Sequence, residues 1–126
     1  MVADPDLGLL GPGDLVDAAS LVLRHERVPG EQVVAGEPST GLVELGRVGE
    51  LAVGVWEMTP GAMSDTEADE VFVVITGHGR IDFVETPGEG SGHAPIDLAT
   101  GAVVRLTAGM RTVWTVEKTV RKIWVA

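Results

Sequence analysis

The stretch Asp69-Glu70-Val71-Phe72-Val73-Val74-Ile75-Thr76-Gly77-His78-Gly79 decides the fold. A short apolar run from Val71 to Ile75, rich in β-branched residues, reads as a buried strand over Val71–Thr76. Gly77-His78-Gly79 reads as the turn that ends it. Beyond that turn, Arg80 to Glu85 alternates, with Ile81 and Phe83 on one face. Upstream, Leu51-Ala52-Val53-Gly54-Val55-Trp56-Glu57 has strand composition and stops at the turn signal Thr59-Pro60-Gly61. Downstream, Ala102–Leu106, Thr112–Glu117 and Thr119–Val125 read as three more strands, with Glu117-Lys118 at the last turn. Thr86 to Pro95 is rich in Gly, Pro and Ser and reads as the loop of a hairpin. Short strands punctuated by glycine turns predict an all-β sandwich or barrel. Two β blocks, roughly 42–77 and 80–125, suit the two halves of a jelly roll.

The first 29 residues read as an irregular N-terminal arm, and residues 30–126 as the barrel. Pro5, Gly8, Gly11, Pro12 and Gly13 keep the arm loose. Asp14 can cap a short helix to about Ser20, with Leu15, Val16, Ala18, Ala19 and Val22 as a rough apolar face. Leu21-Val22-Leu23 reads equally well as a strand.

Composition narrows the function. A chain of 126 residues is one domain by length. It has no cysteine, which excludes disulfides, thiolate metal sites and a Cys nucleophile. Its 44% apolar content and mean hydropathy of +0.23 belong to a folded chain. The net charge of -10 disfavours nucleic acid and anionic membrane surfaces as partners, and favours solubility. The N-terminus lacks the basic and apolar regions of a signal peptide, and no apolar run is long enough to span a bilayer, so the expected location is cytoplasmic.

Several stretches taken in order resemble a cupin: Val34-Ala35-Gly36-Glu37-Pro38, Gly54-Val55-Trp56-Glu57-Met58-Thr59-Pro60-Gly61, Asp69-Glu70 with Gly77, Gly101 to Gly109, and Trp114 to Lys122. More narrowly, the chain resembles the small single-domain cupins related to ureidoglycine aminohydrolase and the ethanolamine-utilisation cupins, over about residues 30–126. The resemblance implies a double-stranded β-helix with an interior pocket, and a homodimer. In metal-binding cupins, three histidines and a glutamate meet in the barrel. Here only Glu70 stands where a ligand is expected. The window Ala62 to Asp69 holds no histidine, and Thr112 occupies the third histidine position. Thr107 and Ala102 replace a usual proline and acidic residue. The expectation is therefore no metal and no cofactor.

Few residues carry candidate chemistry. His25, His78 and His93 lack ligand spacing and read as exposed loop histidines. Glu67, Asp69 and Glu70 form an acidic cluster, readable as a hard-cation site or as a solvated turn before a strand. In the cupin register Glu70 points into the barrel, as Phe72 and Val74 do by alternation. An apolar barrel would raise the pKa of this carboxyl and suit it to acid–base work; the alternative is a carboxyl at the barrel mouth, hydrated or paired with an arginine such as Arg105 or Arg121. Thr112, Trp114 and Val116 share one face of their strand, which the cupin register implies is the inward one. Trp56, Glu70, Phe72, Thr112 and Trp114 are thus the candidate pocket residues, with Trp124 as another aromatic plate. No Gly-x-Ser-x-Gly elbow occurs, and Gly88-Glu89-Gly90-Ser91-Gly92 lacks a phosphate-loop lysine.

The resulting expectation is a metal-independent cupin-like protein binding a small molecule inside its barrel. The alternatives are a small-metabolite enzyme with Glu70 as acid or base, and a non-catalytic interaction or structural domain.

Overall fold

The computed structural model describes residues 2–3, as backbone only, 8–84 and 92–126. In chain order the strands are β1 (Val2–Ala3), β2 (Val22–Leu23), β3 (His25–Arg27), β4 (Val33–Ala35), β5 (Ser39–Val48), β6 (Leu51–Met58), β7 (Gly61–Thr66), β8 (Glu70–Phe83), β9 (Ile96–Leu98), β10 (Val103–Leu106) and β11 (Arg111–Val125). Among the described residues the one helical piece is a 3-10 turn at Gly30–Gln32, and no helix is long and apolar enough to cross a membrane.

Strand β11 organises the molecule. Along one edge its C-terminal half pairs with β6 and its N-terminal half with β7. Along the other edge it pairs with β8 over nearly its whole length. All these lines break at one level: after Met58 on the β6–β7 side, at Gly77 in β8, and at residues 117–119 in β11. There the sheet folds over on itself. One leaf continues to β10 on one side and to β5 and β3 on the other; the second leaf continues to β9 and β4. Between the leaves lies the core, built on Met58, Phe72, Val74, Ile81, Leu98, Leu106, Trp114 and Val120. The chain is an all-β jelly-roll barrel, as the sequence predicts.

Two expected turns are corrected. Val71–Thr76 and Arg80–Glu85 are not separate strands, and β11 does not reverse at Glu117-Lys118. Both are continuous strands carrying bulges. Gly77 sits at φ +95°, and a Cβ there would run into the backbone of Thr119 and Val120. The bulge of β8 thus nests against that of β11 without reversing either chain. It also shifts the alternation: Phe72 and Val74 face the core before it, Ile81 after it.

The arm is corrected as well. Residues 14–20 are not helical. The Asp14 carboxylate accepts from the Gly11 N–H at 2.9 Å, and Asp17 accepts from the Ala19 N–H at 3.2 Å and the Ser20 hydroxyl at 2.5 Å. Both side chains thus serve local turns rather than a helix cap. The strand reading of 21–23 is the one realised, as β2. Leu9, Leu10, Val16, Ala18 and Leu21 then pack on Leu23, Val43, Leu45 and Val55, a second core on the outer face of β5 and β6.

A polar chain ties arm to barrel. Arg121 Nη1 donates to the Ala18 carbonyl at 2.8 Å, while its Nε and Nη2 hold Glu57 Oε2 at 2.9 and 2.8 Å. Glu57 Oε1 meets His25 Nε2 at 2.6 Å, and His25 Nδ1 meets Ser39 Oγ at 2.8 Å. His25 is therefore a half-buried strand residue, not an exposed loop histidine. His78 also lies in a strand, exposed, 3.3 Å from Glu117. Most of the predicted loop Thr86–Pro95 lies outside the described residues; β8 and β9, which it joins, pair antiparallel.

Candidate functional site

Alternation along β11 builds the floor of a pocket at the barrel mouth. Thr112, Trp114 and Val116 point inward, and beyond the bulge Val120 and Lys122 are buried as well. Lys122 pairs across to Trp56 on β6 and to Val74 on β8; the next row joins Gly54, Trp124 and Phe72. Gly54 is required there. A Cβ would collide with the Trp124 indole, so its absence lets that ring lie across β6.

Lys122 is only 5% exposed. Its Nζ lies 4.2 Å from the Phe72 ring centroid, 4.7 Å from that of Trp56 and 4.8 Å from that of Trp114. The rings brace one another: Trp56 and Trp114 meet edge-on at 5.1 Å, and Phe72 lies 5.6 Å from Trp114. Ring faces attract a desolvated cation by roughly 2 kcal/mol. The ammonium also contacts Glu70 Oε1 at 2.8 Å. Glu70 points inward as predicted, yet it pairs with neither Arg105 nor Arg121. Arg105 reaches the Glu70 backbone carbonyl and Arg121 holds Glu57. The barrel around Glu70 is thus not simply apolar, because a buried cation faces the carboxylate.

Glu67 supplies the second anchor. Its backbone N–H donates to the Met110 carbonyl at 2.8 Å, and its carbonyl accepts from the Gly109 N–H at 2.9 Å. This pins the β7–β8 connection and turns the side chain inward. Thr112 Oγ1 at 2.6 Å and Trp114 Nε1 at 2.9 Å both donate to Glu67 Oε2. Glu67 is 8% exposed, so the solvated-turn reading of the acidic cluster is corrected for this residue. Asp69 is exposed and accepts from the Ala108 N–H. Asp65 lies nearby on β7. Burial pushes its carboxyl above the usual aspartate range and the Glu67 charge adds to this, against the Thr66 N–H and Lys122.

These groups line one pocket of about 270 Å³, walled by Trp56, Trp114, Trp124 and Leu42 and edged by Asp65, Glu67, Glu70 and Lys122. Of the candidates named from sequence, Trp56, Glu70 and Trp114 reach it. Phe72 lies behind Lys122. Thr112 lies behind Glu67 and borders a second depression of about 250 Å³ that shares Asp65 and Thr66. Sequence reasoning did not single out Lys122, Glu67 or Asp65 for this pocket. The Trp124 indole N–H is buried without a partner among the described residues.

The metal centre of metal-binding cupins does not fit this donor set. Glu70 is engaged by an ammonium, and threonine stands at the third histidine position. Among the described residues no three His, Cys, Asp or Glu side chains are grouped to hold a metal ion.

The model of the EutQ-like cupin domain matches residues 45–124. Among solved structures, the Clostridium difficile EutQ protein is similar with a TM-score of 0.64 and 18% identity, covering 88% of this chain and 83% of that one. A Pseudomonas syringae protein of unknown function from the DUF861 family has a TM-score of 0.64 and 22% identity, covering 87% of this chain and 46% of that one. A Desulfitobacterium hafniense cupin superfamily protein has a TM-score of 0.59 and 11% identity, covering 94% of each chain. No curated protein matches the sequence.

Proposed function

This chain belongs to the EutQ-like cupin domain family, and from that premise we propose that its barrel binds a small molecule at the Lys122–Glu70 pair, without a metal. The observation that carries the reading is convergence. Three carboxylates, one buried ammonium and three tryptophans face a single small pocket. Such a mixture of apolar walls and a few aimed polar groups is what ligand sites use. A purely structural barrel has no need to bury charged groups in its interior, because desolvating them costs more than apolar packing. All three tryptophans of the chain line the pocket, and there is no tyrosine. Intrinsic fluorescence is therefore a label-free probe of it. A metabolite library titrated against the chelator-treated protein is expected to yield a saturable change that Trp56→Leu weakens. No response from any compound would refute binding, and metal-dependent binding would refute metal independence.

A second reading, a small-metabolite enzyme, is favoured by the raised carboxyl of Asp65. Such a group can carry a proton nearer neutral pH. Glu70, held by Lys122, would then orient the substrate while Asp65 serves as acid or base. Asp65→Asn should abolish turnover of any substrate found while binding persists.

The proposal includes a cytoplasmic homodimer. Exposed Leu42, Val48 and Leu51 on the β5–β6 hairpin support the dimer. A monomer mass by light scattering at micromolar concentration would count against it.

A further inference from the structure

The chain has seven arginines and only two lysines, Lys118 and Lys122. Lys118 is exposed on β11. Lys122, on the same strand, is 5% exposed and lines the pocket. A buried pair with a purely structural task suits arginine, whose planar fork brings several donors to one carboxylate. Arg121, the neighbouring residue, holds Glu57 in that way through Nε and Nη2. At position 122 the chain places an amine instead. An amine differs from a guanidinium in the lone pair it offers for bond formation once a proton has left. The acceptor for that proton is in place, because Glu70 Oε1 lies 2.8 Å from Nζ.

We propose that Lys122 is a nucleophile, which condenses with the carbonyl carbon of a short, uncharged aldehyde or ketone to form a protonated imine in the pocket. This rests on the binding reading above and assigns its ligand a chemical class. The Lys122 ammonium gives a proton to Glu70, and the freed lone pair attacks the carbonyl carbon. A C–N bond forms as the C–O π bond breaks, and the carbonyl oxygen takes the proton back from Glu70. The nitrogen then gives a second proton to Glu70, which passes it to the hydroxyl, and water leaves as the C=N bond forms. One ammonium and one carbonyl thus become one protonated imine and one water, and Glu70 ends as the carboxylate it began. Charge at the nitrogen is +1 before and after. The Phe72, Trp56 and Trp114 rings, 4.2 to 4.8 Å from Nζ, therefore stabilise reactant and product alike. The apolar faces of Trp56, Trp124 and Leu42 suit a hydrocarbon substituent on the carbonyl, and about 270 Å³ limits it to a few heavy atoms. Glu67 and Glu70 at the pocket edge disfavour a carbonyl compound that carries its own carboxylate.

The test is reductive trapping on the full chain. The protein is incubated at neutral pH with millimolar butanal or butanone and cyanoborohydride, which fixes an imine as a stable secondary amine. Peptide mass spectrometry then follows each lysine over time. The expected result is modification of Lys122 at least about ten-fold faster than of exposed Lys118, with a parallel change in tryptophan emission. In urea that preference should vanish. Glu70→Gln, nearly isosteric, should slow trapping at Lys122 by about ten-fold or more. The competition between the two lysines of the unmutated protein needs no variant to fold. Modification of Lys118 with Lys122 untouched, or equal rates at the two in the folded protein, would overturn the nucleophile. Trapping in Glu70→Gln as fast as in the parent would overturn the proton role of Glu70. If trapping at Lys122 fails while the metabolite library still gives a saturable fluorescence change, the imine falls and the binding reading stands. If both fail, both readings fall.

Discussion

Replacing Glu67 by alanine should be among the more damaging single changes in this barrel. Among the described residues the carboxylate is the sole acceptor for two buried donors, the Thr112 hydroxyl at 2.6 Å and the Trp114 indole N–H at 2.9 Å. Thr112 and Trp114 are essentially inaccessible to solvent. An orphaned buried donor costs about 1–3 kcal/mol, so two cost about 2–6 kcal/mol. Water entering from the adjoining pocket recovers part of this, which leaves about 3 kcal/mol. Unfolding entropy near 2.1 cal/mol/K per residue gives about 0.26 kcal/mol/K for a chain of this size, so the midpoint should fall by about 11 °C. Glu67→Gln keeps an acceptor oxygen and relieves repulsion with Asp65, and should cost about 1 kcal/mol or less. Urea and thermal unfolding at pH 7 measure both. An alanine variant within about 1 kcal/mol of the parent, or a glutamine variant as unstable as alanine, would refute the reasoning.

The Lys122–Glu70 pair should show strong coupling. Lys122→Met alone strands a Glu70 carboxylate whose side chain is 13% exposed, at about 3 kcal/mol, and adding Glu70→Gln should return about 2 kcal/mol of it in a urea double-mutant cycle; strictly additive effects would contradict the pairing. Asp65 titrates above its ordinary value in the folded state, so the fold holds that proton more tightly than the unfolded chain does. Stability is then lost as pH rises from about 3.9 through the raised value, and the full cost persists above it. Asp65→Asn should therefore stabilise the protein at pH 7 and lose that advantage near pH 3; a destabilised variant at pH 7 would reverse the sign. Gly54→Ala should cost about 2–3 kcal/mol and alter tryptophan emission, since the new methyl meets the Val43 carbonyl at 2.5 Å and displaces the Trp124 indole; an unchanged spectrum and midpoint would show that the ring does not lie there.

The barrel was legible because strand alternation and glycine turns are local signals. Counting by twos from Glu70 puts Phe72 and Val74 inside, and from Thr112 puts Trp114 and Val116 inside, as observed. Lys122 lies on the same even-numbered count, through Val120 to Trp124. Reading Glu117-Lys118 as a turn stopped the count there and hid the lysine. The deciding fact was non-local, namely that β8 pairs with both halves of β11. Glu67 was hidden for a related reason. A carboxylate before a strand reads as solvated, and its burial depends on donors 45 and 47 residues away in sequence. Asp14 carries helix-cap chemistry, but its side chain satisfies a turn instead.

The most direct test of the central claim is the ¹H–¹⁵N spectrum of the three indole N–H groups during titration of the metabolite library. Binding at the proposed pocket predicts that the Trp56, Trp114 and Trp124 indole signals shift together and saturably with one compound, with the Lys122 and Glu67 amides following. A ligand that saturates while all three indoles stay fixed, or a library that moves none of them, would contradict the account.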